Sequence, residues 1–220
     1  ADSLRRRIVL TLSDRLDSDV TLGELQFRLF PRMRVVGTDL VIRQRDRGDV
    51  PPLITIKRFE AQADLAGLMR KHVAHVELEG LDIEIPPNRH HDDDEKEKRS
   101  PESDFGDDVV IDVMDSGRAR LAILSSKSHK PPKVWDIHSL HMEEVGVGKA
   151  MPYRATLTNA VPPGEIVTHG TFGPWQRDDP GDTPLDGDYA FDKADLSVFK
   201  GISGILSSRG SFGGTLDRID

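Results

Sequence analysis

The sequence predicts a mainly β protein: one strongly bent antiparallel sheet forming an open groove or half-barrel, with a short N-terminal helix and one or two single-turn helices. Three observations predict this fold class. Apolar and polar residues alternate over many short segments, which is the periodicity of a strand with one buried face. Turn-forming residues recur about every 8 to 12 positions, as in antiparallel meanders. Glycines fall where the alternation changes phase, which is typical of bulges that bend a strand.

Composition narrows the class further. Of the 220 residues, 36% are hydrophobic and 5% aromatic, which suits strands with one apolar face each. The net charge of −8 disfavours a nucleic-acid partner, because phosphate binding needs a basic surface. Cysteine is absent, which excludes thiol chemistry and fits the bacterial periplasm, although many cytosolic proteins also lack cysteine. No apolar run is long enough to span a bilayer, and no signal peptide is visible.

The first predicted element is an amphipathic helix over residues 3–16. Apolar residues recur there at every fourth position: Leu4, Ile8, Leu12 and Leu16. Three basic residues, Arg5, Arg6 and Arg7, follow the helix start, where the helix dipole does not favour cations. They form either a membrane-proximal basic collar beside an anionic surface or a plain solvated face.

The next element, residues 19–43, is predicted to be a bent hairpin with one apolar face. Its two extended runs are joined at residues 30–32. The alternation slips at Gly23 and again at Gly37, where we expect bulges. Strands over 53–63 and 73–85, with a helical turn or bend at 64–70 between them, complete four antiparallel strands.

Residues 88–107 form an acidic segment with no apolar residue before Phe105. Such a segment has almost nothing to bury, so we expect a disordered loop that a short Gly/Ser turn could replace. A metal site at His90 and His91 is disfavoured, because adjacent residues in such a loop have no scaffold on which to converge.

The remainder, residues 108–220, continues as short strands. Strands over 109–113 and 119–123 are predicted to form a hairpin around a turn at 115–117. No segment offers a crossover helix, so parallel pairing is not expected. Because position 1 leads straight into a helix and the last residues interrupt a strand, we expect a piece of a longer protein.

The sequence carries no recognisable catalytic or phosphate-binding motif. Gly-x-Ser-x-Gly is absent, and no glycine cluster is followed by the helix and lysine of a phosphate-binding loop. Two histidine pairs three residues apart, His72 with His75 and His138 with His141, fall in predicted strands, which would place each pair on opposite faces. The sequence therefore predicts a protein that is not an enzyme and has no cofactor or metal.

Two parts of the chain resemble AsmA-like proteins of Gram-negative envelopes. In the first, VTLGEL at 20–25 is followed by LFPRMRV at 29–35 and GTDL at 37–40. In the second, GTFGPW at 170–175 is followed by TPLDGDY at 183–189 and by ADL, FKGI and GILSSRG between 194 and 210. The resemblance covers both ends of the chain and thins in the middle. Its motifs are turn and bulge residues, so they bear on the fold more than on any cargo.

The resemblance implies a periplasmic body anchored to the inner membrane by a helix that this sequence lacks, related to chorein-type lipid-transfer proteins. Residues 1–87 would be the N-terminal helix and a four-stranded chorein-like module, and residues 108–220 a continuing groove segment truncated at its C-terminus. The partner implied is a phospholipid or another acyl-chain lipid. Partners among envelope proteins stay open.

Together these observations predict a non-enzymatic protein that conducts lipids between the inner and outer membranes. A trough favours this role, because each methylene kept from water is worth about 0.8 kcal/mol. The alternative is an envelope scaffold that affects outer-membrane protein biogenesis without lipid cargo. Ten residues are predicted to line the trough: Leu25, Phe27, Leu29, Val35, Leu40, Ile42, Phe59, Leu81, Ile83 and Leu121. For each of them, a core position in a closed sandwich is the other open interpretation.

Overall fold

A computed structural model describes residues 2–29, 32–45, 47–64, 67, 69–87, 109–125, 131–146 and 148–219. Its described strands form one sheet of thirteen, preceded by helix α1 (Asp2–Leu16). Two 3-10 turns lie at Pro180–Asp182 and Leu196–Val198. The sheet is not a closed barrel, because its first and last strands are not paired with each other. The predicted fold class, a mainly β protein with an open groove or half-barrel, is confirmed.

The strands follow one another across the sheet almost in chain order, with β2 beside β3 and β7 between β5 and β8. Their bounds are β1 (Ser18–Thr21), β2 (Leu25–Arg28), β3 (Met33–Gln44), β4 (Ile54–Ala63), β5 (His72–Ile85), β6 (Val110–Ser116), β7 (Ala119–Ile123), β8 (Lys133–Val145), β9 (Met151–Asn159), β10 (Gly164–Phe172), β11 (Pro184–Asp195), β12 (Ile205–Thr215) and β13 (Arg218–Ile219).

The predicted hairpin at 109–123 is wrong. β6 and β7 run in the same direction, and both pair with β8 in one unbroken register, from Met114 opposite Met142 to Ala119 opposite Ile137. They are one strand with a kink, where the Ser116 hydroxyl donates to the Arg118 carbonyl at 3.1 Å. Backbone pairing with β5 on one side and β8 on the other keeps the chain extended through β6 and β7. The turn-forming residues at 115–117 lie at the kink.

The sheet also contains a parallel seam, which the sequence did not predict. His72 pairs with Val110 at one end of β5 and Ile85 pairs with Ile123 at the other. The chain that leaves β5 at Ile85 must therefore return to the other end of the same strand. At about 3.3 Å per residue, the two ends of β5 are about 40 Å apart. A long connection can make such a crossover without a helix. The predicted acidic loop at 88–107, with His90 and His91, lies outside the described residues.

A line of irregular backbone crosses the first half of the sheet. It runs through Gly23, Asp39, Gly80 and the β6–β7 kink, and the φ angles of Asp39 (52°) and Gly80 (65°) are positive. The register between β3 and β4 is the same on both sides of this line, with Thr38 opposite Arg58 and Leu40 opposite Ile56. Because neighbouring strands change phase at the same level, their apolar faces stay continuous.

The predicted slip at Gly37 falls at Asp39 instead. Gly37 stays in phase opposite Phe59, whose ring occupies the place of a side chain: a Cβ on Gly37 would lie 2.3 Å from it. Position 37 is a glycine because the Phe59 ring packs directly over its backbone. The alternation of β3 changes phase two residues later, where Asp39 adopts the left-handed conformation.

Helix α1 packs on the apolar side of the first strands. Ile8, Val9, Leu12 and Leu16 contact a buried cluster that includes Val20, Leu22, Leu25, Leu40 and Ile42. The predicted amphipathic helix is confirmed, and its apolar residues cover one end of the sheet.

The sheet curls far enough that its last strands return to the ends of its central strands. Leu216 is buried with Leu53, Ile85 and Ile123, and Trp175 packs against this cluster. The Gln44 side chain on β3 donates from Nε2 to the Asp178 carbonyl at 2.9 Å. These contacts narrow one end of the trough and make the sheet a half-barrel.

Candidate functional site

The apolar side of the sheet, here called the groove face, carries an uninterrupted row of apolar residues across eight neighbouring strands. Each member lies directly opposite the next in the strand register. From β3 to β11, the row is Leu40, Ile56, Leu81, Ala119, Ile137, Leu157, Ile166 and Phe191. A flanking row follows the same course with Val20, Ile42, Ile54, Ile83, Leu121 and Trp135.

The opposite side of the sheet is charged and bears paired side chains. Arg58 contacts Glu79 at 2.7 Å across β4 and β5, and Arg120 contacts Glu84 at 3.1 Å across β5 and β7. Arg34 contacts Glu60 at 3.1 Å. Because side chains alternate across each strand, one face is apolar and the other is wet, as in a trough with a hydrated exterior.

A cluster of titratable groups lies on the charged side, at the parallel seam. The Asp115 carboxylate lies between His75 Nε2 at 2.8 Å and His141 Nδ1 at 2.7 Å. The hydrogen bond to Asp115 raises the pKa of His141 above its ordinary value. Burial alone would raise the pKa of Asp115, but the hydrogen bonds from His141 and His75 outweigh it and lower the pKa. This arrangement joins β5, β6 and β8.

The structure brings nine of the ten predicted trough residues into one cluster. Leu25, Leu40, Ile42 and Leu81 are buried. The others in the cluster are half-buried: Phe27, Val35, Phe59, Ile83 and Leu121. Leu29 is 71% exposed and lies beyond the end of β2, so the structure does not place it with the rest.

Sequence reasoning missed the C-terminal half of the groove face. Leu157, Ile166 and Phe191 continue the central apolar row and are half-buried. The alternation in β9 and β10 was visible, but it does not tell which strands lie side by side. Only the pairing of β8 with β9, and of β10 with β11, extends the row.

The three arginines near the start of α1 differ in their contacts. Arg5 Nε donates to the Leu22 carbonyl at 2.9 Å, so Arg5 ties α1 to the break between β1 and β2. A depression of about 280 Å³ lies at this junction, lined by Asp2, Arg5 and residues 23–26. Arg6 and Arg7 are exposed. That Arg5, Arg6 and Arg7 form a basic collar beside a membrane stays a prediction.

Metal-binding clusters and membrane-spanning helices are both absent from the part of the chain that the structure describes. No group of three or more histidine, aspartate or glutamate side chains there is arranged to hold a metal ion. No helix among those residues is both long and apolar enough to cross a membrane. Comparison with known proteins found no match: no family model, no curated protein and no solved structure is significantly similar to the chain.

Proposed function

We propose that this chain is the periplasmic part of an inner-membrane-anchored, AsmA-like protein that conducts lipids, most simply phospholipids, along its groove face between the inner and outer membranes without catalysis. The observation that supports it is the central apolar row, which crosses eight strands without a polar residue, opposite a face of paired charges. The resemblance of residues 20–40 and 170–210 to AsmA-like proteins supports the same function.

The dimensions of the row suit an acyl chain. Neighbouring strands lie about 4.8 Å apart, so the eight strands of the row span about 34 Å. The hydrocarbon core of a bilayer, which holds two opposed layers of acyl chains, is about 30 Å thick. An extended acyl chain of one leaflet, about half that length, is therefore shorter than the whole row.

Burial divides the row into a covered part and an accessible part. Leu40, Ile56 and Leu81 are buried, with α1 packed on the same cluster. Leu157, Ile166 and Phe191 are half-buried. We propose that lipid contacts the accessible part, over β9 to β11, and that the covered part serves as the core of the chain. The accessible part spans about 10 Å, so it contacts one portion of an acyl chain at a time.

The test uses two adjacent residues on β10 that lie on opposite faces. Ile166 belongs to the apolar row, whereas Val167 is 48% exposed and lies on the other side of the strand. Lipids extracted from the purified wild type, Ile166→Asp and Val167→Asp are measured by mass spectrometry. We expect Ile166→Asp to lose most of its bound lipid, because an acyl chain would have to desolvate the carboxylate.

The control and the contradicting results are equally specific. Val167→Asp should retain the lipid of the wild type, and thermal melts followed by far-UV circular dichroism should show that both variants fold. Equal lipid in the two variants would remove β10 from the proposed site. A wild type that carries no lipid, even after incubation with phospholipid vesicles, would reject lipid conduction.

One observation favours the second candidate, an envelope assembly or interaction scaffold. Among the described residues, β12 pairs with β11 on one side, but on the other side only Gly214 and Thr215 pair, with β13. The remaining edge of β12 can accept a strand from another protein through backbone hydrogen bonds. Capture of a partner by a chain that carries no lipid would support this candidate instead.

A further inference from the structure

The connection between β11 and β12 exposes a group of apolar side chains. Within residues 196–206, here called the apolar loop, Val198 is 50% exposed, Phe199 40%, Ile202 55%, Ile205 68% and Leu206 45%. The β9–β10 turn lies at the same end of the sheet and adds Val161, which is 66% exposed. The two connections are joined by a hydrogen bond from the Asp195 amide to the Pro163 carbonyl at 2.9 Å.

Backbone hydrogen bonds hold the apolar loop in shape. The Leu196 amide donates to the Gly204 carbonyl at 3.0 Å and closes the loop at its base. Inside it, the Phe199 amide donates to the Leu196 carbonyl at 3.0 Å, and the Ser197 amide donates to the Asp195 carboxylate at 2.9 Å. The apolar side chains are therefore presented to solvent by an ordered loop and are not exposed by fraying of a strand end.

Charge around the loop differs from charge in the rest of the chain. The chain carries a net charge of −8, but no acidic residue occurs between Asp195 and Asp217. Two basic residues do, Lys200 in the loop and Arg209 on β12, and both are exposed. The nearest carboxylate in sequence, Asp195, lies at the base of the loop and accepts from the Ser197 amide. Exposed apolar side chains beside the two basic ones fit the boundary between anionic headgroups and acyl chains.

We propose that the apolar loop docks on an anionic phospholipid bilayer, with Phe199 and Ile202 inserted at the interface and Lys200 at the headgroups. A protein partner is less favoured, because it would need a carboxylate placed opposite each of the two cations, Lys200 and Arg209. An anionic bilayer offers negative headgroups over its whole surface. The proposal rests on the loop alone and does not depend on lipid conduction along the groove face.

The experiment is sedimentation of the full 220-residue chain with vesicles of phosphatidylcholine mixed with phosphatidylglycerol, and with vesicles of phosphatidylcholine only. We expect Phe199→Ser/Ile202→Ser to weaken binding to the anionic vesicles about tenfold or more, since two apolar side chains lose their burial. Lys200→Glu should weaken binding to the anionic vesicles only, and salt should weaken the binding of the wild type.

A matched control removes two exposed apolar residues elsewhere. Met69 is 82% exposed and Val167 is 48% exposed, and Met69→Ser/Val167→Ser should bind as the wild type does. Equal loss in both double variants would overturn the proposal, as would a wild type that does not sediment with anionic vesicles. Failure of the groove proposal is separate, because Ile166→Asp changes extracted lipid and leaves the apolar loop intact.

Discussion

The two halves of the groove face share one apolar pattern and differ in what covers it. In the first half, Leu40 and Ile56 are each 8% exposed and lie in the cluster on which α1 packs. In the second half, Ile166 and Phe191 are half-buried, and most of β12 is exposed. Strand sequence alone therefore does not decide burial, which also depends on what packs over each strand: α1 packs on the first cluster, whereas Met151, Tyr153 and Ala155 are buried without it.

The backbone differs between the halves as well. From β1 to β8 the irregular line crosses the strands at one level and leaves the register unbroken. Between β8 and β9 the register shifts after Ile137, and between β11 and β12 it shifts again near Lys193, whose φ angle is 56°. The shift after Ile137 falls opposite the β6–β7 kink, and the shift near Lys193 falls next to Phe191 of the central apolar row, so both bulges continue the irregular line across the second half.

The largest expected effect comes from the connection between β5 and β6. Replacing residues 88–108 with a short Gly/Ser turn should abolish cooperative unfolding, because the connection must span the about 40 Å length of β5 and needs about 12 residues to do so. The β-sheet signal in circular dichroism and a urea melt measure the outcome. This expectation replaces the one drawn from the sequence, in which a short turn was tolerated.

The matched control is a Gly/Ser segment of the original length. It should leave the urea midpoint close to that of the wild type if the native segment buries little, as its composition predicts. Cooperative unfolding of the short-turn variant at the wild-type midpoint would show that β5 and β6 are not parallel neighbours.

A charge placed in the covered half should cost far more than one placed in the exposed half. Ile42 is 6% exposed, and Ile205 is 68% exposed. Ile42→Asp should lower the free energy of unfolding by at least about 3 kcal/mol, because the carboxylate would be buried without a partner. Ile205→Asp should change it by less than about 0.5 kcal/mol. Similar urea midpoints for the two variants would mean that the Ile42 side chain is not buried as the structure places it.

Two glycines give a smaller contrast of the same kind. A Cβ on Gly37 would meet the Phe59 ring, whereas a Cβ on Gly213 would meet nothing within 4 Å. Gly37→Ala should destabilise the chain by about 1–3 kcal/mol through overpacking. Gly213→Ala should leave stability unchanged or raise it by up to about 1 kcal/mol. Adding Phe59→Leu to Gly37→Ala should recover part of the loss; no recovery would place the strain elsewhere.

The smallest expected effect concerns the charged cluster at the parallel seam between β5 and β6. Asp115 faces His75 and His141, and His141 also lies 3.3 Å from Glu143, which Arg154 contacts at 3.4 Å. The pKa of His141 is raised from 6.5, so its stabilisation is present below about pH 6.5 and lost as pH rises through the higher pKa of the folded state. The pKa of Asp115 is lowered from 3.8, so its contribution is lost only in stronger acid.

The measurement is the difference in unfolding free energy between the wild type and His141→Gln as a function of pH. The difference in free energy should favour the wild type near pH 6 and become smaller toward pH 8. The change should be less than about 1 kcal/mol, because the His141 side chain is one-third exposed and solvent screens its interaction with Asp115. His169→Gln serves as the control, since His169 is 67% exposed and 3.8 Å from Asp188. A difference that grows with pH would contradict the assigned direction.

Much of this fold was predictable from local sequence. Alternation identified the strands at 33–44, 54–63, 72–85 and 205–215, and helical spacing identified α1. These patterns survive because side-chain direction repeats every two residues in a strand and every 3.6 in a helix, whatever the chain packs against. The same alternation assigned nine trough residues to one apolar face.

Only the tertiary structure decided how these elements meet. The parallel seam joins β5 to a strand beyond residues 88–108, and the turn-like residues at 115–117 become a kink because β5 and β8 flank them on both sides. Leu40 is buried in the cluster on which α1 packs, whereas Ile205 is 68% exposed at the start of β12. Periodicity reports which way a side chain points, but pairing and coverage depend on contacts between residues far apart in the chain, and no local pattern encodes these.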